Sequence, residues 1–351
     1  MAGFGRGHTG AGLGVPGAVI IQHLLRDRTG LCKLLRAFKP ARRGIGNRAC
    51  LINRGPGRAQ GGCRPLLGAR LLAQGRYLLV GGGGSGDVVW SSSMDTALKL
   101  ATDYAEEYAS PERDKLPKWA VWQQKAYGTT YEPVVFIYNK RLIPQGEVPD
   151  SHTALAKLIA GQADKFKGKV TTYDIEKSGL GFMLAVQDSK ADASYFDDLA
   201  GIAKGGLTVQ SSTGTMMERV SSGENLIGYN ILGSYAEARA KNDPSLGISY
   251  PKDYVLVLSR VSFITAEAEH LNAAKLWFDY VLSEKGQSIL ANQADIPSLR
   301  NDIEGKNDID GMTKMLGSAL KPIPVDETLL AYLEPKQRLE FIKQWRTAAA
   351  K

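Results

Sequence analysis

The sequence predicts an α/β fold, and three observations carry the prediction. From about residue 87 to the end, short runs of β-branched and aromatic residues alternate with amphipathic stretches of helical period. Three strand-to-helix junctions are rich in hydroxyls and glycine, at residues 91–93, 174–179 and 211–214. No stretch offers about 18 consecutive apolar residues, which excludes a polytopic membrane protein, and no repeat of about 20–50 residues is visible. Repeated βα units predict layers around a largely parallel sheet. In such sheets ligands sit beyond the C-terminal ends of strands, at helix N-termini.

Each element has a local reason. Val88, Val89 and Trp90 suit a strand, and the serines at 91–93 suit an N-cap, because a hydroxyl accepts from an N–H that has no partner within the helix. Residues 96–108 supply the next amphipathic helix, and Pro111 and Pro117 mark a loop. Residues 119–122 and 133–139 read as strands. A helix over 151–161 is capped by Ser151 and ended by Gly161. Residues 169–173 form a strand running into Asp174, and Ser178-Gly179 opens the next helix. The strand at 207–210 feeds Ser211-Ser212-Thr213-Gly214 and a helix reaching about Ser222. A strand at 225–229, a helix at 232–241 and one long apolar strand at 254–265 come next. Helices over 270–283, 285–293 and about 327–349 complete the chain, with Leu271, Ala274, Phe278 and Val281 at core spacing on the first.

Charge divides the chain unevenly. Residues 1–86 hold 14 Lys and Arg against a single acid, Asp27, a net of +13, whereas residues 87–351 hold 30 basic and 35 acidic residues, a net of −5. The larger part is therefore no basic nucleic-acid-binding core. Cys32, Cys50 and Cys63 all lie in the first part with no CxxC pair, so no zinc site is expected. The glycine turn Gly81–Gly86 fits G-x-G-x-x-G, but strand-like residues come after it where a dinucleotide site needs a helix. Residues 11–25 are the nearest approach to a secretory signal, interrupted by Gly14, Pro16 and Gly17, so no signal peptide is recognisable. A transit peptide would be Ser-rich, yet the first serine is Ser85. Residues 1–84, rich in Arg, Gly, Ala, Leu and Pro, read either as a disordered Gly/Arg-rich arm or as the frame-shifted translation of a GC-rich gene.

From residue 87 onward the motifs resemble the periplasmic substrate-binding proteins of ABC importers, in the ferric-iron type group. The resemblance rests on Asp87-Val88-Val89-Trp90-Ser91-Ser92; on Pro133-Val134-Val135-Phe136-Ile137-Tyr138-Asn139-Lys140; on Gly168-Lys169-Val170 with Asp174 and Ser178-Gly179; on Val220-Ser221-Ser222-Gly223-Glu224; and on the stretch from Asn272 to Gln287 with Ile296-Pro297. The resemblance implies a two-lobed type II periplasmic-binding-protein fold, α/β throughout, whose lobes close on a solute about a hinge of crossing strands. Lobe one is expected over 85–131 and 251–351, and lobe two over 132–250. The segment corresponding to 1–84 is where the family's signal peptide and first elements fall, so lobe one is expected to be incomplete. The implied partners are a small-molecule solute and an inner-membrane ABC permease. The protein is expected to be a periplasmic monomer that is no enzyme and carries no cofactor or metal.

Ferric members of the group are expected to hold iron with a tyrosine pair, because hard Fe(III) suits phenolate. The corresponding stretch here, Tyr229-Asn230-Ile231-Leu232-Gly233-Ser234-Tyr235, has no adjacent tyrosines. Hydroxyl-rich helix starts point instead to an organic anion such as a carboxylate, phosphonate or sugar phosphate. The candidate ligand-binding residues are Ser92, Ser93, Tyr131, Ser178, Gly179, Ser212, Thr213, Tyr229 and Asn230, with Tyr235, Tyr250 and Tyr254 behind them. His152 and His270 read as surface or capping residues. For catalysis the chain offers no H-E-x-x-H, G-x-S-x-G or P-loop. The alternative from another class is an α/β enzyme using the Gly81–Gly86 turn for a dinucleotide.

Overall fold

The computed structural model describes residues 86–305 and 309–350. The expectations for residues 1–84 and the three cysteines lie outside the described residues, as does the glycine turn before Gly86. Gly86 leads into strand β1 (Val88–Ser91) and not into the helix that a dinucleotide site requires. Helix α1 (Met94–Tyr104), the short strands β2 (Val121–Trp122) and β3 (Ala126–Gly128), and β4 (Glu132–Asn139) come next. The chain continues through α2 (His152–Gly161), β5 (Val170–Tyr173), α3 (Gly179–Ala191), α4 (Tyr195–Ala203), β6 (Leu207–Gln210), α5 (Thr213–Ser222) and β7 (Ile227–Leu232). Helix α6 (Gly233–Ala240), β8 (Leu246–Ser249), β9 (Val255–Leu258), β10 (Val261–Ile264), α7 (Leu271–Leu282) and α8 (Glu284–Gln293) lead to α9 (Ile309–Leu316), β11 (Leu320–Pro322) and α10 (Pro335–Ala349).

Two sheets organise these elements. One has four strands in the order β1-β10-β3-β2, all antiparallel. The other has seven, in the order β11-β9-β4-β7-β5-β6 with β8 also on β4. Parallel pairs are confined to β5 with β6 and β7, and to β9 with β11. The sheets are therefore mixed, where the βα rhythm alone predicted a largely parallel one. The difference comes from β4, which runs antiparallel to β7, β8 and β9. With neighbours on both edges, every residue of β4 is buried, which accounts for the apolar run at residues 133–138 between Glu132 and Asn139.

The long apolar strand expected over 254–265 is in fact two strands in different sheets. It breaks at Ser259-Arg260, so that β9 belongs to the seven-stranded sheet and β10 to the four-stranded one. Residues 128–132 run beside the break and make the same transfer from β3 to β4. Thr129 donates to the Arg260 carbonyl through its N–H (3.0 Å) and its hydroxyl (2.8 Å), and Arg260 N–H donates to Thr130 Oγ1 (2.9 Å). Gly128 permits the close approach, because a Cβ there would lie 2.4 Å from Ser259 Oγ. These two crossing segments are the described connections that join the sheets at this point.

A continuous apolar core runs across both halves. It includes Met94 and Leu98 of α1, Val134 and Ile137 of β4, Met183 and Leu184 of α3, Met216 of α5, and Val261 and Phe263 of β10. Helix α10 starts at Pro335, a residue whose missing N–H is harmless at the first helical position; the residues before it, 327–333, form two 3₁₀ turns. Its Phe341, Trp345 and Ala348 pack with Phe182, Tyr195 and Leu199 of α3 and α4. The last helix of the chain thus lies on elements drawn from residues 132–250.

At the crossing, Arg260 and Glu132 form an ion pair with both side chains fully buried. Glu132→Ala leaves a buried guanidinium uncompensated and is expected to lower stability by about 3–5 kcal/mol. Replacing both partners, as Glu132→Gln with Arg260→Met, removes both charges at similar volume and is expected to lower it much less. Urea midpoints of the two variants check this; equal losses would contradict it.

Candidate functional site

The hydroxyl-rich junctions are distributed over both halves of the molecule, and the fold brings two of them together. Ser92 and Ser93 are both buried at the end of β1. Ser93 occupies the N-cap position of α1, yet its side chain makes no capping hydrogen bond there. It lies instead against the start of α3, where a Cβ on Gly179 would come within 3.1 Å of Ser93 Oγ. Glycine at 179 is what leaves room for that hydroxyl. Ser178 caps α3, accepting from Gly181 N–H at 3.1 Å. The start of α3, with the positive end of its helix dipole, therefore lies beside the serine loop.

Ser212 caps α5 by accepting from Thr215 N–H at 3.2 Å. Thr213, the first residue of α5, bonds through its hydroxyl to the Tyr173 phenol at the end of β5. Burial pushes the Tyr173 pKa well up, so the phenol keeps its proton. The remaining expected residues have other partners. Tyr131 stacks obliquely on Trp119 at 6.2 Å and lines an open pocket of about 490 Å³ with Leu116, Ile309 and Pro322. Tyr229 and Asn230 direct their donors at Asp188 of α3, at 2.7 and 2.6 Å, and Tyr254 OH reaches the same carboxylate at 3.1 Å. Asp188 is fully buried, and burial raises its pKa even against these three hydrogen bonds and nearby His152.

His152, expected at the surface or as a cap, is buried at 5% exposure. Its ring stacks on Tyr254 at 3.9 Å and its Nδ1 lies 3.0 Å from Asp253. The reason is β9: Asp253 and Tyr254 arrive beside α2 from a hundred residues away, which no local pattern announces.

Sequence reasoning also passed over the charged groups nearest the junctions. Arg260 holds Glu132 in a fork, Nε to Oε1 at 2.7 Å and Nη2 to Oε2 at 2.8 Å. Thr130 and Ser234 hydroxyls donate to the same carboxylate. Trp90 and Tyr235 flank the guanidinium, their ring centroids 5.7 and 5.3 Å away. A charged residue inside an otherwise apolar run, residues 255–264, was the available signal. Asp95, two residues beyond Ser93, is buried and faces the field of Arg338 from α10; Arg338 in turn lies 3.9 Å over the Phe182 ring of α3. Among the described residues no three His, Cys, Asp or Glu side chains gather as a metal site.

The sequence profile of the bacterial extracellular solute-binding proteins matches residues 97–319. The chain belongs to this family. Like its relatives, this solute-binding protein has the type II periplasmic-binding fold. A substrate-binding protein of an ABC transporter from Agrobacterium tumefaciens is 33% identical, aligned over 76% of this chain and 79% of its own, with a TM-score of 0.72. The periplasmic binding protein AfuA from Actinobacillus pleuropneumoniae, solved with fructose-6-phosphate bound, is 19% identical over 75% of this chain and 82% of its own (TM-score 0.60). The ferric binding protein from Campylobacter jejuni is 17% identical over 80% and 86% (TM-score 0.59). No curated protein matched in a separate comparison. As a solute-binding protein of this family, the chain is the substrate-capturing component of an ABC transporter.

Asp95 gives this binding protein a defined pH response. Burial, partly offset by the Thr96 N–H and by Arg338, pushes its pKa from 3.8 up to about 6. The folded state then binds more protons than the unfolded one between those values, so stability falls as pH rises through the window. Asp95→Asn is expected to gain on the wild type by up to about 3 kcal/mol between pH 4 and pH 7. Denaturation curves at both pH values check this; a constant difference would contradict it.

Proposed function

We propose that this protein captures a small organic anion, a carboxylate, phosphonate or sugar phosphate, and delivers it to an inner-membrane ABC permease. The observation that carries the reading is the meeting of Ser93 with Gly179 at the capped start of α3. Backbone N–H groups, hydroxyls and a helix dipole converge there from two sequence-distant segments, which is the equipment that holds an oxyanion. A second capped start, Ser212-Thr213, offers the same chemistry. Iron is disfavoured because the stretch from Tyr229 to Tyr235 has no adjacent tyrosines and Tyr229 already donates to Asp188.

The protein acts without catalysis, as a periplasmic monomer, and its encounter with solute is followed by lobe closure about the crossing strands. Ser92, Ser93, Ser178, Gly179, Ser212 and Thr213 are the residues proposed to meet the solute. The reading as a dinucleotide enzyme has no support from the described residues, since β1 comes directly after Gly86 and Asp87.

Thermal unfolding with a panel of succinate, glycerol 3-phosphate, phosphonoacetate and ferric citrate tests this. A matching oxyanion at about a hundred times its Kd is expected to raise Tm by roughly 5–10 °C. Tight Fe(III) binding with no response to any organic oxyanion would overturn the substrate class.

A further inference from the structure

We infer that Arg260 anchors the anionic head of the solute, its Nη1 donating in the guanidinium plane to a carboxylate or phosphate oxygen. The inference rests on the reading of this protein as an organic-anion binder and names the group that would recognise the anion.

Arg260 is 0% exposed, and its Nη1 is buried with no partner at hydrogen-bond geometry among the described residues, although the Tyr235 phenol lies near enough to interact with the guanidinium. A buried guanidinium N–H without an acceptor is strongly unfavourable, so native structures rarely leave one unless something else supplies the acceptor. Glu132 cannot supply it. Its Oε1 already accepts from Arg260 Nε and Thr130 Oγ1, and its Oε2 from Arg260 Nη2 and Ser234 Oγ. With both carboxylate oxygens occupied by two donors each, the fork fixes the orientation of the guanidinium and leaves Nη1 without an acceptor.

The surroundings restrict what can approach. The Trp90 and Tyr235 rings flank the guanidinium, so an acceptor for Nη1 has to lie in its plane, a geometry that a planar or tetrahedral oxyanion can meet. Trp90 leads directly into the serine loop that meets Gly179. Tyr235 stands in the first turn of α6 and packs against the same core cluster as Tyr173, which is bonded to Thr213 at the start of α5. The two rings that flank Arg260 thus lead, through their neighbours, towards both hydroxyl-capped helix starts. Glu132 cancels its full charge, so the anion gains a directed hydrogen bond while the helix ends supply positive potential.

The test is calorimetric titration of the full chain, wild type and Glu132→Gln/Arg260→Met, with succinate, glycerol 3-phosphate and phosphonoacetate, and with glycerol as the neutral control. The arms separate a carboxylate from a phosphoryl head. The wild type is expected to bind an oxyanion and not glycerol, and the double variant to bind it on the order of 10- to 100-fold more weakly. Circular dichroism establishes that the variant is folded. Should it not fold, ¹⁵N spectra of the wild-type guanidinium groups replace it, and the Arg260 Nη signals are expected to shift on saturation with the same oxyanion. Equal affinities, or unmoved Nη signals at saturation, overturn the role of Arg260 while organic-anion binding stands. A wild type that binds none of the oxyanions overturns both.

Discussion

The Glu132–Arg260 pair is the constraint on which the rest of the structure depends. It lies where two segments cross from one sheet to the other, and both of its side chains are excluded from water. An ion pair in such a place stabilises little by itself, because desolvating two charges offsets most of their attraction. What it does is select geometry. Burial alone would raise the Glu132 pKa, but Arg260, with Ser234 and Thr130, holds it below the usual carboxylate range. Both groups stay charged, and the fork between them sets how β4 and β9 leave the crossing.

Around that point the molecule divides its polar groups between two tasks. The Asp188 cluster gathers Tyr229, Asn230 and Tyr254 inside the elements formed by residues 132–258, with His152 stacked on Tyr254. Its donors are directed at one buried carboxylate, which ties α3 to β7 and β9. At the serine and threonine junctions Ser178, Ser212 and Thr213 also have partners, and Ser93 differs from them. Ser93 makes no cap at its own helix, and it faces a glycine on another element.

Much of this was legible in the sequence, and what was not has physical causes. Strands such as β5 and β6 and the caps Ser151, Ser178 and Ser212 could be read because both depend on neighbours within a few residues. The family resemblance could be read from the order of its motifs. By contrast, α4 (Tyr195–Ala203), β8 and β11 went unread: α4 has two acids in its first turn and is buried by α2 and α10, while β8 and β11 are short strands that exist through their partners β4 and β9. The apolar run from 254 to 265 read as one strand because periodicity does not register a change of sheet. Tyr229 and Asn230 were placed in the right strand region, but their commitment to Asp188, some forty residues away, is a tertiary fact. Arg260 was visible as a charge in an apolar run, yet its partner Glu132 lies 128 residues earlier.

In the proposed function the two lobes close about the Glu132–Arg260 crossing on an organic oxyanion, and an interlobe distance reads that closure. Spin labels at the exposed positions Leu142 and Leu276, in a chain with Cys32, Cys50 and Cys63 replaced by serine, report that distance by pulsed electron resonance. Adding an oxyanion that stabilises the protein is predicted to convert a broad distribution into one narrower, shorter distance. A distribution that stays unchanged at saturating oxyanion would contradict the account.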